Sequence, residues 1–301
     1  MKISNLFLKF LDKKKYKKNK LIINQLKEKQ FFDSNLKDLL GDIQKRLENK
    51  KEINFLHSGH CGDIINSLPV IKKIANSHIC NLYLRLNKTI PVDHLDHPFG
   101  QVYLNDRGFK MLDPLLKKQK YLSNVEIFKG QEIDVNLDLI RKLPIALEFD
   151  SMRYSFHIAG EQTDLSEEFI QVEEHEKVKN KIVIQRSLRR QNHLINYKFL
   201  NKYEDVYFVG VKNEYEELKK EINHLIFYDC ESFLEMASII KSSKIFIGNA
   251  SLGFTLAEGL KIPRLLESCP WSSPQQVHGK NGYDFFFQSH FEKFFNILYK
   301  K

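Results

Sequence analysis

The sequence predicts an α/β protein in which two doubly wound domains face a cleft, preceded by a basic helical extension. Short apolar runs alternate with stretches of helical periodicity along most of the 301 residues. This alternation is typical of parallel sheets that are covered by helices on both faces. The pattern occurs twice, on either side of an irregular polar stretch at 131–175, and it therefore indicates two domains.

We place the domain boundaries where the pattern changes: residues 1–51 form the extension, 52–170 the first α/β domain and 171–301 the second. The predicted strands lie at 52–59, 81–87, the end of 108–130, 180–187, the start of 205–222, 225–229, the start of 245–260, and 262–267. The predicted helices lie at 35–50, 64–76, the start of 108–130, 151–160, the end of 205–222, 232–244, the end of 245–260, and 289–301. Pro69 predicts either a kink in the second of these helices or a wide turn at 63–68 with Pro69 at the first position of the helix that follows.

All of the net positive charge lies in the extension. Residues 1–51 carry 15 Lys or Arg and six Asp or Glu, which accounts for the net charge of +9, and the rest of the chain balances 32 basic against 32 acidic side chains. The segment KKKYKKNK at 13–20 follows the apolar LFLKFL at 6–11. This combination fits a contact with an anionic membrane surface, and the alternative is a solvated helical tail. A nucleic acid is not predicted as a partner, because no basic patch interleaved with aromatic residues continues into the body.

Several other classes are disfavoured. No apolar run approaches the roughly 20 residues of a membrane-spanning helix, and NLFLKFL at 5–11 is too short and too interrupted for a signal peptide. The scattered cysteines have no metal-type or paired spacing and predict reduced thiols: Cys61, Cys80, Cys230 and Cys269. We therefore expect a cytoplasmic protein, peripheral on the inner membrane face if the extension binds lipid.

The first candidate loop, HSGHCGD at 57–63, follows a predicted buried strand. Its glycines allow the backbone to approach a ligand closely, and the amides at the start of the following helix favour oxygen-rich groups. Asp63 is suited to accept a proton from a hydroxyl nucleophile, and the alternative is that it caps the helix. A metal site is not predicted, because no second cluster completes the ligands.

Two further loops follow strands of the second domain. QRSLRRQN at 185–192 carries three arginines, whose guanidinium groups fit phosphate oxygens, although they could instead pair with surface acids. GNASLGFTLAEGL at 248–260 brings small and hydroxyl residues to the start of a helix, where anions bind. Glu258, one turn later, is suited to accept hydrogen bonds from a ribose diol. Trp271 either stacks on a base or sugar, or packs in the core.

Taken together, these segments resemble glycosyltransferase family nine, the ADP-heptose:lipopolysaccharide heptosyltransferases, and the GT-B glycosyltransferases in general. GDIINSLPVIKKI at 62–74 resembles the family's N-terminal signature, and KIFIGNASLGFTLAEGLKIPRLLE at 244–267 resembles its donor-site segment. The chain departs from the family at Asn249–Ser251, where the family has Asp-Thr-Gly, and at Phe254 or Thr255, where the family has a histidine.

The resemblance implies two Rossmann-like domains and inverting, metal-independent transfer of a sugar, with no cofactor besides the nucleotide-diphosphate sugar. The acceptor is expected to be a glycan or glycolipid hydroxyl. The predicted base is Asp63, beside the acceptor-side residues Gly59, His60 and Gly62. The predicted donor-binding residues are Arg186, Ser187, Arg189, Arg190, Asn249, Ser251, Gly253, Thr255 and Glu258.

Asp138, Arg141 and His157 are predicted to line the acceptor side, with no role assigned. Two alternatives stay open, a nucleotide-sugar epimerase and a non-catalytic protein that binds sugar nucleotides.

Overall fold

The structure, a computed structural model, describes residues 9–90, 99–143, 150–272 and 274–300. Contacts between Cα atoms divide the chain into a unit of residues 1–49 and a larger unit of residues 50–301. The first eight residues of the predicted extension lie outside the described residues. The predicted boundary between residues 170 and 171 stays a prediction.

The smaller unit consists of two helices that contact each other, α1 (Lys13–Asn35) and α2 (Lys37–Asn49). Asp12 caps α1, because its side chain accepts a hydrogen bond from the backbone N–H of Lys15 at 2.9 Å. No residue of α1 is buried. Apolar side chains on and just before α1 are exposed: Phe10, Leu11, Leu21, Ile22, Leu26, Phe31 and Phe32. Within the described residues, no helix is long and apolar enough to cross a membrane.

The first half of the larger unit forms a four-stranded parallel sheet in the order β3-β2-β1-β4. Its elements are β1 (Glu52–His57), α3 (Cys61–Asn66), α4 (Leu68–Ile74), β2 (Ile79–Leu84), α5 (Asp106–Lys117), β3 (Asn124–Ile127) and β4 (Val135–Asn136). A 3₁₀ helix (Leu137–Lys142) and α6 (Arg153–Ala159) follow. Because every pair of strands is parallel, the loops that follow the strands collect at one edge of the sheet.

The second half forms a six-stranded parallel sheet in the order β10-β9-β8-β5-β6-β7. Its elements are β5 (Ile182–Gln185), β6 (Val206–Val209), α7 (Lys212–Lys219), β7 (Ile226–Tyr228), α8 (Phe233–Ser242), β8 (Ile245–Asn249), α9 (Leu252–Leu260), β9 (Arg264–Glu267), β10 (Gly282–Phe285) and α10 (Gln288–Tyr299). The central strands β5 and β8 are buried along their whole length, as the apolar runs in the sequence predict. The predicted α/β class with two doubly wound, Rossmann-like sheets is confirmed.

The segment around Pro69 agrees with the second alternative in that the proline starts a helix, but a short helix and not a wide turn precedes it. Two helices, α3 and α4, replace the single predicted helix, and Pro69 lies in the first turn of α4. A proline is tolerated there because the first N–H groups of a helix have no partner within it. Two short strands, β4 and β10, were not predicted.

Candidate functional site

The loop between β1 and α3 holds Asp63 at the third position of α3. His60 is the N-cap residue, and its backbone N–H donates to Oδ2 of Asp63 at 3.2 Å. The side chain of Asp63 is 42% exposed. The alternative that Asp63 is the N-cap is therefore wrong, since Asp63 satisfies the amide of the N-cap residue and keeps carboxylate surface open to solvent.

Gly59 is required by close packing at the centre of this loop. A Cβ atom there would lie 2.5 Å from Cε1 of His57 and 2.9 Å from both Nη2 of Arg141 and Cβ of Asp63. No side chain fits at such distances without moving its neighbours. At Gly59 itself, the loop backbone therefore packs closely against other protein groups, whereas the sequence predicted a close approach to a ligand.

Asp138, on the 3₁₀ helix after β4, anchors the loop between β1 and α3. Its Oδ1 accepts hydrogen bonds from the Ser58 N–H at 2.9 Å and from Nη1 of Arg141 at 2.7 Å, and its Oδ2 accepts from Nζ of Lys88 at 3.0 Å. Burial alone would raise the pKa of Asp138, but its interactions with His57, Ser58, Arg141 and Lys88 outweigh burial and hold the pKa below its usual range. Asp138 is therefore a fixed negative charge.

Arg141 links this anchor to Asp63. Its Nη1 is held by Asp138, and its Nη2 lies 4.0 Å from Oδ2 of Asp63. The guanidinium carbon lies 4.3 Å from the centre of the Tyr103 ring, whose backbone carbonyl lies 2.9 Å from Nδ1 of His60. Nη2 is buried and has no hydrogen-bond partner among the described residues. Sequence analysis named Arg141 and Asp138 without a role, and the structure shows that the two residues pair.

His57 is a neutral structural residue. Its Nδ1 accepts a hydrogen bond from the Gly59 N–H at 2.8 Å. Burial lowers the pKa of His57 to about 4, although the negative charge of Asp138 opposes the shift. Cys61 is inert for a similar reason, since burial raises the pKa of its thiol to about 12.

Arg186 lies inside the second domain rather than at its surface. Its Nε donates to Oε2 of Glu267 at 2.7 Å and its Nη2 to Oε1 at 2.9 Å, while Tyr197 lies beneath the guanidinium at 4.7 Å. The Arg186 side chain is only 6% exposed. The geometry therefore assigns Arg186 to bracing the loop after β5, and not to the predicted binding of phosphate.

Glu258 is likewise turned inward. Its Oε2 accepts from Nε of Arg264 at 2.5 Å, and its Oε1 accepts from Lys261 and from the His278 N–H. Glu258 is fully buried, so its predicted contact with a ribose diol has no access. The sequence shows the carboxylate but not the buried arginine that neutralises it.

Ser187 and Asn249 join the ends of β5 and β8. Oδ1 of Asn249 accepts from the Ser187 N–H at 2.8 Å, and Nδ2 of Asn249 donates to the Ser187 carbonyl at 2.7 Å. The Ser187 side chain is hydrogen bonded to Glu214, which lies at the start of α7. Burial raises the pKa of Glu214, and hydrogen bonds from Ser187 and Leu188 oppose that rise. Sequence analysis missed Glu214, a partly exposed carboxylate.

The start of α9 has fewer free hydrogen-bond donors for an anion than its small residues predict. The Ser251 N–H donates to Gln275 at 3.3 Å, and the Gly253 N–H donates to Gln185. Thr255 is held by Gln275, whose Nε2 donates to the threonine hydroxyl at 2.6 Å. Ser251 is the N-cap residue of α9, and its hydroxyl is buried without a hydrogen-bond partner among the described residues.

The two domains meet where α3 approaches α9. A Cβ atom at Gly62 would lie 3.8 Å from Oγ1 of Thr255. Close contact between a loop residue of the first domain and a donor-segment residue of the second places both candidate loops at one junction.

Asp63 and Arg189, from different halves of the larger unit, interact through their charges. Arg189 is exposed, yet partial desolvation by neighbouring atoms lowers the pKa of its guanidinium, and the positive charge of Arg190 acts in the same direction. The carboxylates of Glu214 and Asp63 oppose that shift.

Comparisons with known proteins support the fold. No family model matches the chain. No curated protein matches it either. Among solved structures, a glycosyl transferase family 9 protein from Veillonella parvula is 10% identical, with a TM-score of 0.52 over 83% of this chain and 89% of that one.

Two E. coli structures are similar to the same degree. Heptosyltransferase WaaC with ADP-2-deoxy-2-fluoro heptose is 8% identical, with a TM-score of 0.52 over 82% of this chain and 99% of that one. ADP-heptose lps heptosyltransferase II is 11% identical, with a TM-score of 0.50 over 83% and 98%. Identities this low show a shared fold, and they confirm the predicted GT-B-like architecture and its resemblance to family nine.

The buried pair of Arg186 and Glu267 gives a stability prediction. Replacing Glu267 by Ala strands a buried guanidinium, and we expect the free energy of unfolding in urea to fall by about 3–5 kcal/mol. The control is Glu216→Ala, which removes a carboxylate that pairs with Lys212 at an exposed site and should cost no more than about 1 kcal/mol. Equal losses in the two variants would contradict the bracing role.

The lowered pKa of His57 gives a pH prediction. Below pH 6.5 the unfolded chain protonates this histidine whereas the folded chain does not, so stability falls as pH drops from 6.5 to about 4. The difference between these two pKa values corresponds to about 3 kcal/mol in the free energy of unfolding. We expect urea unfolding of His57→Asn, whose amide oxygen still accepts from the Gly59 N–H, to show a flatter pH dependence over this range. An unchanged profile would show that His57 is not held neutral.

Proposed function

We propose that this protein is a glycosyltransferase that moves a sugar from a nucleotide-diphosphate sugar to a hydroxyl of a glycan or glycolipid. The observation that carries the proposal is the junction between α3, which holds Asp63, and α9 of the predicted donor segment, where a Cβ atom at Gly62 would lie 3.8 Å from Oγ1 of Thr255. A base and a cation on opposite sides of one gap are what transfer from a diphosphate requires. The fold shared with family 9 glycosyltransferases supports the same reaction class.

The proposed chemistry is a single inverting displacement that needs no metal. The acceptor oxygen attacks the anomeric carbon as the bond from that carbon to the diphosphate oxygen breaks. The hydroxyl proton passes to the carboxylate of Asp63, and the nucleoside diphosphate leaves with the bonding electrons. Arg189 and Arg190 supply the positive charge that stabilises the leaving diphosphate, and Arg190 is oriented by its hydrogen bond to Ser272 at 2.5 Å.

Arg141 is proposed to orient Asp63. It reaches Asp63 on one side while Asp138 fixes it on the other. Glu214 replaces Glu258 as the proposed acceptor of hydrogen bonds from the ribose diol, because its carboxylate is partly exposed beside Ser187 and Arg189. His60 and Gly62 border the acceptor side.

The donor and acceptor are proposed by class. The structure of E. coli heptosyltransferase WaaC with ADP-2-deoxy-2-fluoro heptose supports a nucleotide sugar as the donor class. Residues 1–51 are proposed to hold the enzyme at an anionic membrane surface, and a cytoplasmic location at the inner membrane face follows from that contact. Support comes from the charge of +9 and from the exposed apolar side chains of α1.

Asp63→Asn tests the proposed base. We expect sugar transfer to fall at least a hundredfold, because the variant cannot take the acceptor proton, while nucleoside diphosphate affinity changes little. Rates are measured with a panel of nucleotide sugars and glycan acceptors, and affinity is measured by thermal shift. Asp106→Asn, at the exposed start of α5, is the matched control. A new sugar epimer formed from the donor alone would instead identify an epimerase, and nucleotide binding without transfer would identify a binding protein.

Arg189→Gln tests the proposed diphosphate contact. We expect about tenfold weaker binding of nucleoside diphosphates and a smaller effect on the nucleoside, because only the diphosphate gains from the guanidinium. The thermal shift that each ligand produces reports the affinity. Arg107→Gln removes an exposed arginine from α5 and should leave both affinities unchanged. Equal loss for nucleoside and diphosphate would place Arg189 away from the phosphates.

A further inference from the structure

One short segment of the chain between β9 and β10 contacts both halves of the larger unit. The segment consists of residues 274–278, and we call it the clasp. Trp271, just before it, is 60% exposed, so the alternative that this residue packs in the core is wrong. Two clasp side chains are turned inward, since Gln275 is only 8% exposed and the side chain of His278 25%. Their polar groups therefore need partners inside the protein.

On one side, the clasp is fixed to α9 of the predicted donor segment. Nε2 of Gln275 donates to the Ser251 carbonyl at 3.0 Å and to Oγ1 of Thr255 at 2.6 Å. The backbone N–H of His278 donates to Oε1 of Glu258 at 3.1 Å. The clasp is therefore held near the start of α9 and again near its end.

On the other side, the clasp is fixed to two residues of the first half. The Pro274 carbonyl accepts a hydrogen bond from the Ser151 N–H at 2.9 Å. Nε2 of His278 lies 2.8 Å from Oδ2 of Asp150, whose side chain is only 8% exposed. Because a carboxylate accepts hydrogen bonds and cannot donate them, the ring N–H of His278 is the donor. Of the two bonds, only this one uses a clasp side chain, so a substitution can remove it.

These contacts lead to Asp63 by two short paths. Nδ2 of Asn66, the last residue of α3, donates to Oγ of Ser151 at 3.0 Å, and Asn66 lies three residues after Asp63 on the same helix. Helix α6, which begins two residues after Ser151, contacts the 3₁₀ helix that carries Asp138 and Arg141. Hydrogen bonds therefore connect the donor segment with the helix that holds the predicted base.

We propose that His278 is a positioning residue, whose bond to Asp150 holds α9 against α3 and sets the separation between Asp63 and the donor segment. A hydrogen bond to a carboxylate is stronger than one between neutral groups. Asp150 is itself oriented, since its Oδ1 accepts from the Met152 N–H at 3.2 Å. The effect of His278 on the rate of transfer rests on the proposed function, whereas the contact between the two halves can be tested without any reaction.

Hydrogen exchange of the full-length protein, followed by mass spectrometry, tests the contact. We expect His278→Ala to speed exchange of the α3 and α9 amides about tenfold, because loss of a charged hydrogen bond favours local opening. Exchange in the central strands β5 and β6 should stay unchanged. His278→Gln, whose amide N–H can reach Asp150, should restore slow exchange. The matched control is His224→Ala, which removes a ring hydrogen bond to the Tyr203 carbonyl that stays within the second half.

Steady-state kinetics tests the consequence for the proposed reaction. We expect kcat for sugar transfer to fall about tenfold in His278→Ala, because a small displacement of the base from the donor slows transfer. KM for the nucleotide sugar should stay within about twofold, since the residues proposed to bind the diphosphate are unchanged, and His278→Gln should restore kcat. Asp150→Ala should reproduce the loss. The double variant should lose no more than the larger single variant, as expected for two residues that act as one unit.

The pattern of exchange and kinetics decides between these roles. Unchanged exchange in His278→Ala, or an equal rise in every segment, would overturn the clasp. Local opening with unchanged kcat would overturn the positioning role and leave the proposed function standing. Local opening in a protein that transfers sugar to no acceptor would support the clasp and count against the proposed function. Circular dichroism confirms that each variant is folded.

Discussion

The buried carboxylate of Asp138 is the contact on which the candidate site depends. It accepts hydrogen bonds from the loop after β1, from Lys88 and from Arg141, and in this way it fixes backbone and side chains that come from three parts of the first domain. Arg141 is then held beside Asp63. Because a buried charge of this kind is costly unless it is fully paired, the arrangement is rigid, and Asp63 takes its position from it.

In the second domain, buried arginines are paired with carboxylates in a similar way. Arg186 is paired with Glu267, and Arg264 with Glu258, inside the layer beneath the loops. These pairs satisfy charges that would otherwise compete for a ligand. They leave Arg189 exposed and Arg190 and Glu214 partly exposed. The division between bracing charges and exposed charges defines which residues can act on a substrate.

The strands and the fold class follow from the sequence because long buried apolar runs have few alternative interpretations. β4 and β10 were missed since one has two residues and the other, at the sheet edge, carries polar residues on its exposed side. The predicted roles of single residues were wrong where a partner residue elsewhere in the sequence decides the role. Arg186 and Glu258 have the residue types of ligand-binding groups, and only the folded chain shows Glu267 and Arg264 beside them. Glu214 carried no signal, because a single charged residue in a charged sequence has no distinctive spacing.

The account rests on the meeting of Asp63 and Arg189 at one reaction centre. The structure of this protein bound to a nucleoside diphosphate tests it most directly. We expect the terminal phosphate to contact Arg189 and to lie on the side of that residue that faces Asp63. A diphosphate bound elsewhere, or with its terminal phosphate directed away from the first domain, would contradict the account.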